Sequence, residues 1–102
     1  NMTMELSIRW IRLKKICEEL CGREVHIHSS TEMPDDHVAG CEFNDNMIDI
    51  ILNMKLTKSE DMVIKAIAHE MVHVLNNNNK HNIMFDKEWS EMENTIRSKY
   101  MN

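Results

Sequence analysis

The sequence predicts an α+β fold: an N-terminal helix, three short strands, and two further helices. Three stretches carry apolar residues at helical spacing. Between the first and second of these the pattern switches to the two-residue alternation of strands. A third observation concerns chemistry: His69-Glu70-Met71-Val72-His73 reads H-E-x-x-H inside the second helical stretch.

Residues 4–21 form an amphipathic pattern. Trp10, Leu13, Cys17 and Leu20 recur at helical intervals, with Ile16 and Cys21 beside them. Gly22 stands where a left-handed, helix-ending residue belongs. Val25-His26-Ile27-His28 then alternates as a strand, with its histidines on one face and its aliphatics on the other. The loop over 29–36 holds Pro34, the single proline. Residues 38–43 and 47–53 flank the turn-prone Asn44-Asp45-Asn46 and read as a β-hairpin, with Ile48, Ile50 and Leu52 on one face. The motif helix is expected over 58–75, opened by a capping box of Thr57 and Glu60. The four asparagines 76–79 stop it and make a loop. The last helix is expected over 83–100, with Ile83, Phe85, Trp89, Met92 and Ile96 as its apolar positions. Ten methionines scattered across these elements read as core filler.

At 102 residues, 42% hydrophobic and 28% charged, residues 1–102 are expected to form a single globular domain acting as a monomer. No apolar run approaches the roughly 20 residues that cross a bilayer. Glu5, Arg9 and Arg12 interrupt any leader-like core, so the expected location is cytoplasmic, without a membrane partner. Cys17, Cys21 and Cys41 are an odd set with no C-x-x-C pair, which argues against a disulfide framework and for core thiols. The net charge is −5, so tight binding to double-stranded DNA is not expected. The basic surplus sits near the first helix, at Arg9, Arg12, Lys14 and Lys15.

On a helix, His69 and His73 lie one turn apart on one face, close enough to share one Zn2+. Glu70 sits about 100° around the helix from His69, beside the metal, where a carboxylate can take a proton from an activated water. A third ligand is needed if water is to hold the fourth position. His81 is the next histidine, eight residues on, and the asparagine loop is long enough to bring it back. Glu88 and Glu91 on the last helix are the competitors. His26 and His28 could hold a second metal, but polar residues on a half-exposed strand explain them as well.

His81-Asn82-Ile83-Met84-Phe85-Asp86-Lys87-Glu88-Trp89 resembles the H-G-x-x-F-x-x-x-W segment of SprT-like metallopeptidase domains. Ala39-Gly40-Cys41, Ile48-Asp49-Ile50 and the H-E-M-x-H helix are similar to that family's A-G-x-C strand, I-x-L strand and active-site helix, in the same order. The match covers about residues 38–90, and the chain also resembles the single-domain minigluzincins. Asn82 stands where the family has glycine. The resemblance implies a three-stranded sheet whose edge strand binds substrate, a backing helix, His69, His73 and His81 on zinc, and Glu70 as base. It implies a zinc metallopeptidase acting on protein or peptide substrates. Family members with a known role cleave proteins crosslinked to DNA; no cysteine-rich ribbon or basic extension lies within these 102 residues. The alternatives are a zinc-stabilised binding or regulatory module with little turnover and, more remotely, a phosphohydrolase or other hydrolase using the same metal.

Overall fold

Helix α1 (Trp10–Cys21) turns Leu13, Ile16 and Cys17 inward. The computed structural model describes residues 8–102, so the expected helix start at residue 4 lies outside the described residues. Ile8 and Arg9 precede α1 as irregular chain. Gly22 ends it with φ 69°, a conformation that any Cβ would strain, and donates its N–H to the Glu18 carbonyl at 2.7 Å. Three strands follow: β1 (Glu24–Ser30), β2 (Ala39–Phe43) and β3 (Met47–Asn53). They form one mixed sheet in the order β1-β3-β2, with β1 parallel and β2 antiparallel to the central β3. Helices α2 (Glu60–Asn76) and α3 (Phe85–Met101) complete the α+β fold expected from the sequence.

The core lies between one face of the sheet and the helices. Ile48, Ile50 and Leu52 of β3 are fully buried, as their alternation predicts, and meet Ile64, Ile67 and Met71 of α2. Tyr100, also fully buried, ties the three helices together. Its hydroxyl donates to Glu60 at 2.6 Å and accepts from the Arg9 N–H at 2.9 Å. The Arg9 guanidinium lies 4.5 Å from the ring centroid. Arg9 and Arg12 also donate to the last carbonyls of α3, at Tyr100, Lys99 and Asn102. Of the four basic residues near the first helix, Arg9, Arg12 and Lys14 therefore bond to the protein itself.

Three details correct the sequence-based expectation. The N-cap of α2 is Ser59, whose Oγ accepts from the Met62 N–H at 3.1 Å, and the helix begins at Glu60 rather than 58. Thr57 is instead buried and donates its hydroxyl to the Asn53 carbonyl at 2.9 Å. Ile83 is 96% exposed, in the turn before α3, and contributes nothing to the core.

The two outer edges of the sheet differ. On β1, Glu24 donates to the Asn46 carbonyl and Ser30 accepts from Met54, so the even residues bond to the β3 side and the odd ones face outward. The outward groups of Val25 are both taken by α1: its carbonyl by Lys14 Nζ at 2.6 Å and its N–H by Glu18 Oε2 at 3.1 Å. On β2, Val38 accepts from Asn53 and Asn44 donates to Met47, so here too the even positions pair with β3. Ala39, Cys41 and Phe43 direct their N–H and C=O groups outward. Among the described residues no protein group bonds to them.

Candidate metal centre

Helix α2 carries His69 and His73 one turn apart, and its C-terminus is built to aim them. Asn77 adopts the left-handed conformation at φ 57°, which asparagine tolerates better than most residues. The Asn77 and Asn78 N–H groups close the helix on the carbonyls of Val74 and His73. The Asn78 carbonyl then lies 3.1 Å from His73 Nδ1. A carbonyl can only accept, so Nδ1 carries the proton and Nε2 keeps its lone pair. The Asn78 side chain accepts from the Lys80 N–H at 2.9 Å and turns the chain back towards the helix.

That turn delivers His81. Its Nε2 lies 3.1 Å from His73 Nε2, and the two rings stack with centroids 4.9 Å apart. His69, His73 and His81 each bring a nitrogen within 4.8 Å of the others. Among the described residues this is the group that could hold a metal ion. Phe85 backs all three rings at centroid distances of 4.4 to 4.8 Å. Trp89, one turn further along α3, stands edge-on to His69 at 4.7 Å and donates its indole N–H to the Lys65 carbonyl at 2.9 Å. The spacing of His81, Phe85 and Trp89 at four-residue intervals thus becomes one continuous aromatic wall. Asn82, in the family's glycine position, has no positive φ; its side chain accepts from the Met84 N–H at 3.0 Å, in the turn that leads into α3.

Burial pushes the His69 imidazole down to about 4, helped by His73 and His81, and lowers His73 for the same reasons. In the protein alone both rings favour the neutral form, the one that offers a lone pair to a metal. Glu70 is only 6% exposed, and burial raises its carboxyl above the ordinary range, partly opposed by the neighbouring Cys41 thiol. Cys41 lies on β2 with Sγ 3.9 Å from the Glu70 carbonyl, and burial with the nearby Glu70 pushes this thiol up to about 12. Glu70, His69 and His81 open onto one cleft of about 510 Å3, between the start of β2, the first half of α2, and Trp89.

The other candidates lie elsewhere. Glu88 accepts from the Asn76 side chain at 2.9 Å and, with Glu91, borders a separate hollow near Leu20 and Leu75. Neither joins the histidine group. His28 pairs with Asp49 at 3.1 Å and His26 with Glu24 at 3.2 Å, as polar residues on a half-exposed strand. All three cysteines are free, and burial pushes Cys17 up to about 12, as suits a core thiol.

Two residues that matter to the site carry no local signal. Asn53 is fully buried at the end of β3; its amide donates to the carbonyls of Pro34 at 3.1 Å and His37 at 2.8 Å, fixing the loop that forms the rim of the cleft. Asn78 orients His73. Cys41 was marked in the sequence by the Ala39-Gly40-Cys41 resemblance and as a core thiol, not as a neighbour of Glu70. Among the described residues no helix is long and apolar enough to cross a membrane.

The model of the SprT-like family matches residues 7–102. No curated protein and no solved structure gave a significant match.

Proposed function

The chain belongs to the SprT-like family, and from that premise we propose that it is a zinc-dependent metallopeptidase. The observation that carries the proposal is the convergence of three imidazoles beside a buried carboxylate on one open cleft. Two nitrogens that each lie about 2.0–2.1 Å from a tetrahedral zinc are roughly 3.3 Å apart. The 3.1 Å between the Nε2 atoms of His73 and His81 fits that geometry. Zinc held by His69, His73 and His81 supplies Lewis acidity, polarising the scissile carbonyl and acidifying water.

The protein's own groups do the rest. Glu70 takes one proton from the attacking water as the water oxygen bonds to the carbonyl carbon. It returns that proton to the amine nitrogen as the C–N bond breaks. Burial holds it close to the cleft, where it can reach a water beside the histidines. Ala39 and Cys41 offer outward N–H and C=O groups along β2, suited to holding a peptide extended by strand addition. Asn78 keeps His73 in the tautomer that faces its partners.

In this reading residues 1–102 are one domain, monomeric and cytoplasmic, acting on protein or peptide substrates. Duplex DNA is not held tightly: the net charge is −5, and Arg9 and Arg12 are engaged by the end of α3. The zinc-stabilised binding module is the second reading, supported by the way the histidines link the end of α2 to the entrance of α3. A purely structural site needs no Glu70.

The test is cleavage of an unfolded protein such as casein by the zinc-loaded chain and by Glu70→Gln, with zinc content measured on the same samples. The expected result is equal zinc and a loss of about 10²–10⁴ in rate for the variant. Equal rates would remove Glu70 from the mechanism. No cleavage by the zinc-loaded wild type would favour the binding module.

A further inference from the structure

Phe85 is buried, yet it stands outside the contiguous core between the sheet and the helices. Its ring neighbours are polar: the imidazoles of His69 and His73, each with its centroid 4.8 Å away, and that of His81 at 4.4 Å. Trp89 follows at 6.3 Å. Core packing does not explain a phenyl ring set against three imidazoles. The three are also held by different means. His69 and His73 project from a regular helix, and the Asn78 carbonyl fixes His73 through Nδ1 at 3.1 Å. His81 is exposed and lies on irregular chain before α3. Among the described residues its ring has one hydrogen-bonding neighbour, His73 Nε2 at 3.1 Å, on the side that faces the other ligands. Ligating histidines ordinarily give their other ring nitrogen to an outer acceptor. The His81 ring instead lies on Phe85 with the two planes 28° apart. The turn between the two is fixed. Asn82 accepts from the Phe85 N–H through its carbonyl and from the Met84 N–H through its side chain, both at 3.0 Å.

We propose that Phe85 is a positioning residue for the metal: by stacking, it holds His81 in the ligating orientation before a metal arrives, the part that Asn78 plays for His73. This rests on the reading of His69, His73 and His81 as the ligand set. An imidazole on an exposed turn samples several rotamers, and metal binding must select one of them. Stacking on a buried ring makes that selection in advance. The same ring touches His69 and His73, so the third ligand is set relative to the other two and not by the turn alone. Without the ring, two histidines remain fixed on the helix and the third is loose.

The experiment reads metal binding and not turnover, so it stands whether or not the chain cuts peptides. Zinc affinity is measured by competition with a chromophoric chelator, at a temperature where circular dichroism shows each variant folded. Phe85→Leu should bind zinc about 10- to 100-fold more weakly, the usual cost of losing an outer partner of a ligating histidine. Phe85→Tyr, which keeps the ring, should bind close to wild type. In a His81→Ala background Phe85→Leu should add little, because the two changes act through one ligand. Ile96→Ala, at a fully buried core position of the same helix, controls for lost stability: its melting temperature should fall while its zinc affinity holds. In the metal-free protein, nuclear magnetic resonance should show the His81 ring protons losing their ring-current shift in Phe85→Leu. If that variant fails to fold, Phe85→Met, which fills the space without a flat face, carries the same expectation. Unchanged zinc affinity in Phe85→Leu, with affinity lost in His81→Ala, would overturn the positioning role and leave the ligand set intact. So would an equal loss in Ile96→Ala, or a loss of full size in the His81→Ala background. Zinc affinity unmoved by His81→Ala would overturn the ligand set itself, and the positioning role with it.

Discussion

The two edges of the sheet present the same backbone chemistry and are treated in opposite ways. On β1, the first outward residue, Val25, has both its groups taken by the Lys14–Glu18 pair of the helix beside it, itself closed at 2.9 Å. On β2, the outward groups of Ala39 and Cys41 are left open beside the cleft. An unpaired edge templates further strands, and proteins ordinarily block it. Here one edge is partly blocked by side chains and the other, beside the reactive groups, is not. The contrast leaves β2 free to accept a further strand, as the proposed peptide binding requires.

Removing the metal should have the largest effect. His69→Ala or His81→Ala should cost bound zinc and all hydrolysis, and both should melt like the chelated wild type. Metal at a hundred times its dissociation constant stabilises by about 2.7 kcal/mol, and a domain of this size shifts roughly 4–8 °C per kcal/mol. Chelation should thus lower the melting temperature by about 10 °C or more. Glu88→Ala should keep its zinc, and loss of zinc there with retention in His81→Ala would reassign the third ligand. Both β edges should survive this treatment, which elemental analysis and circular dichroism would check.

A smaller effect is expected from the open edge. Ala39→Pro removes one outward N–H without touching the ladder to β3, the one sheet position proline tolerates. Losing one hydrogen bond to the substrate should reduce kcat/KM about 3- to 10-fold, with the melting temperature nearly unchanged. An unaltered kcat/KM would mean that substrate does not pair with β2. The equivalent change on the blocked edge, Glu18→Ala, should leave catalysis alone and slightly increase self-association, read by light scattering at high concentration.

The smallest effect is a dependence on pH. The Glu18 carboxyl is held below its ordinary range by Lys14 and then by the Val25 N–H. A depressed carboxylate contributes stability that is fully present above the unfolded value, near 4.3, and lost as pH falls through the lower folded value. Protection of the Val25 amide against hydrogen exchange, corrected for intrinsic rate, should therefore fade below about pH 4. Protection that persists under acid conditions would mean that α1 does not hold this edge through charge.

The histidine group was legible because it is local. His69 and His73 are one helical turn apart, and His73 and His81 only 8 positions. A four-asparagine loop can return the chain over that distance whatever the rest does. The sheet's inward positions were legible from alternation, since a half-buried strand admits one solution. What failed involved a choice between neighbours that burial decides. Thr57 and Ser59 both qualify as N-caps, and Thr57 is taken out of the competition by the Asn53 carbonyl, which no local pattern reveals. Ile83 continues the apolar rhythm but lies in the turn before the helix. Asn53 and Cys41 act across the fold, on a loop 16 positions away and a helix 29 positions away.

That locality also bears on the order of assembly. Short-range contacts form early because little loop entropy must be lost before they are made. The segment from His69 to His81 carries all three histidines, so on the proposed reading it can capture a metal while the sheet is still forming. The β2 strand must arrive from much further along the chain to wall the cleft. Metal uptake and the onset of peptide binding should therefore be separate kinetic events during refolding, with the metallated intermediate lacking a substrate groove. On the proposed reading, a refolding chain would hold its metal before its substrate groove is complete.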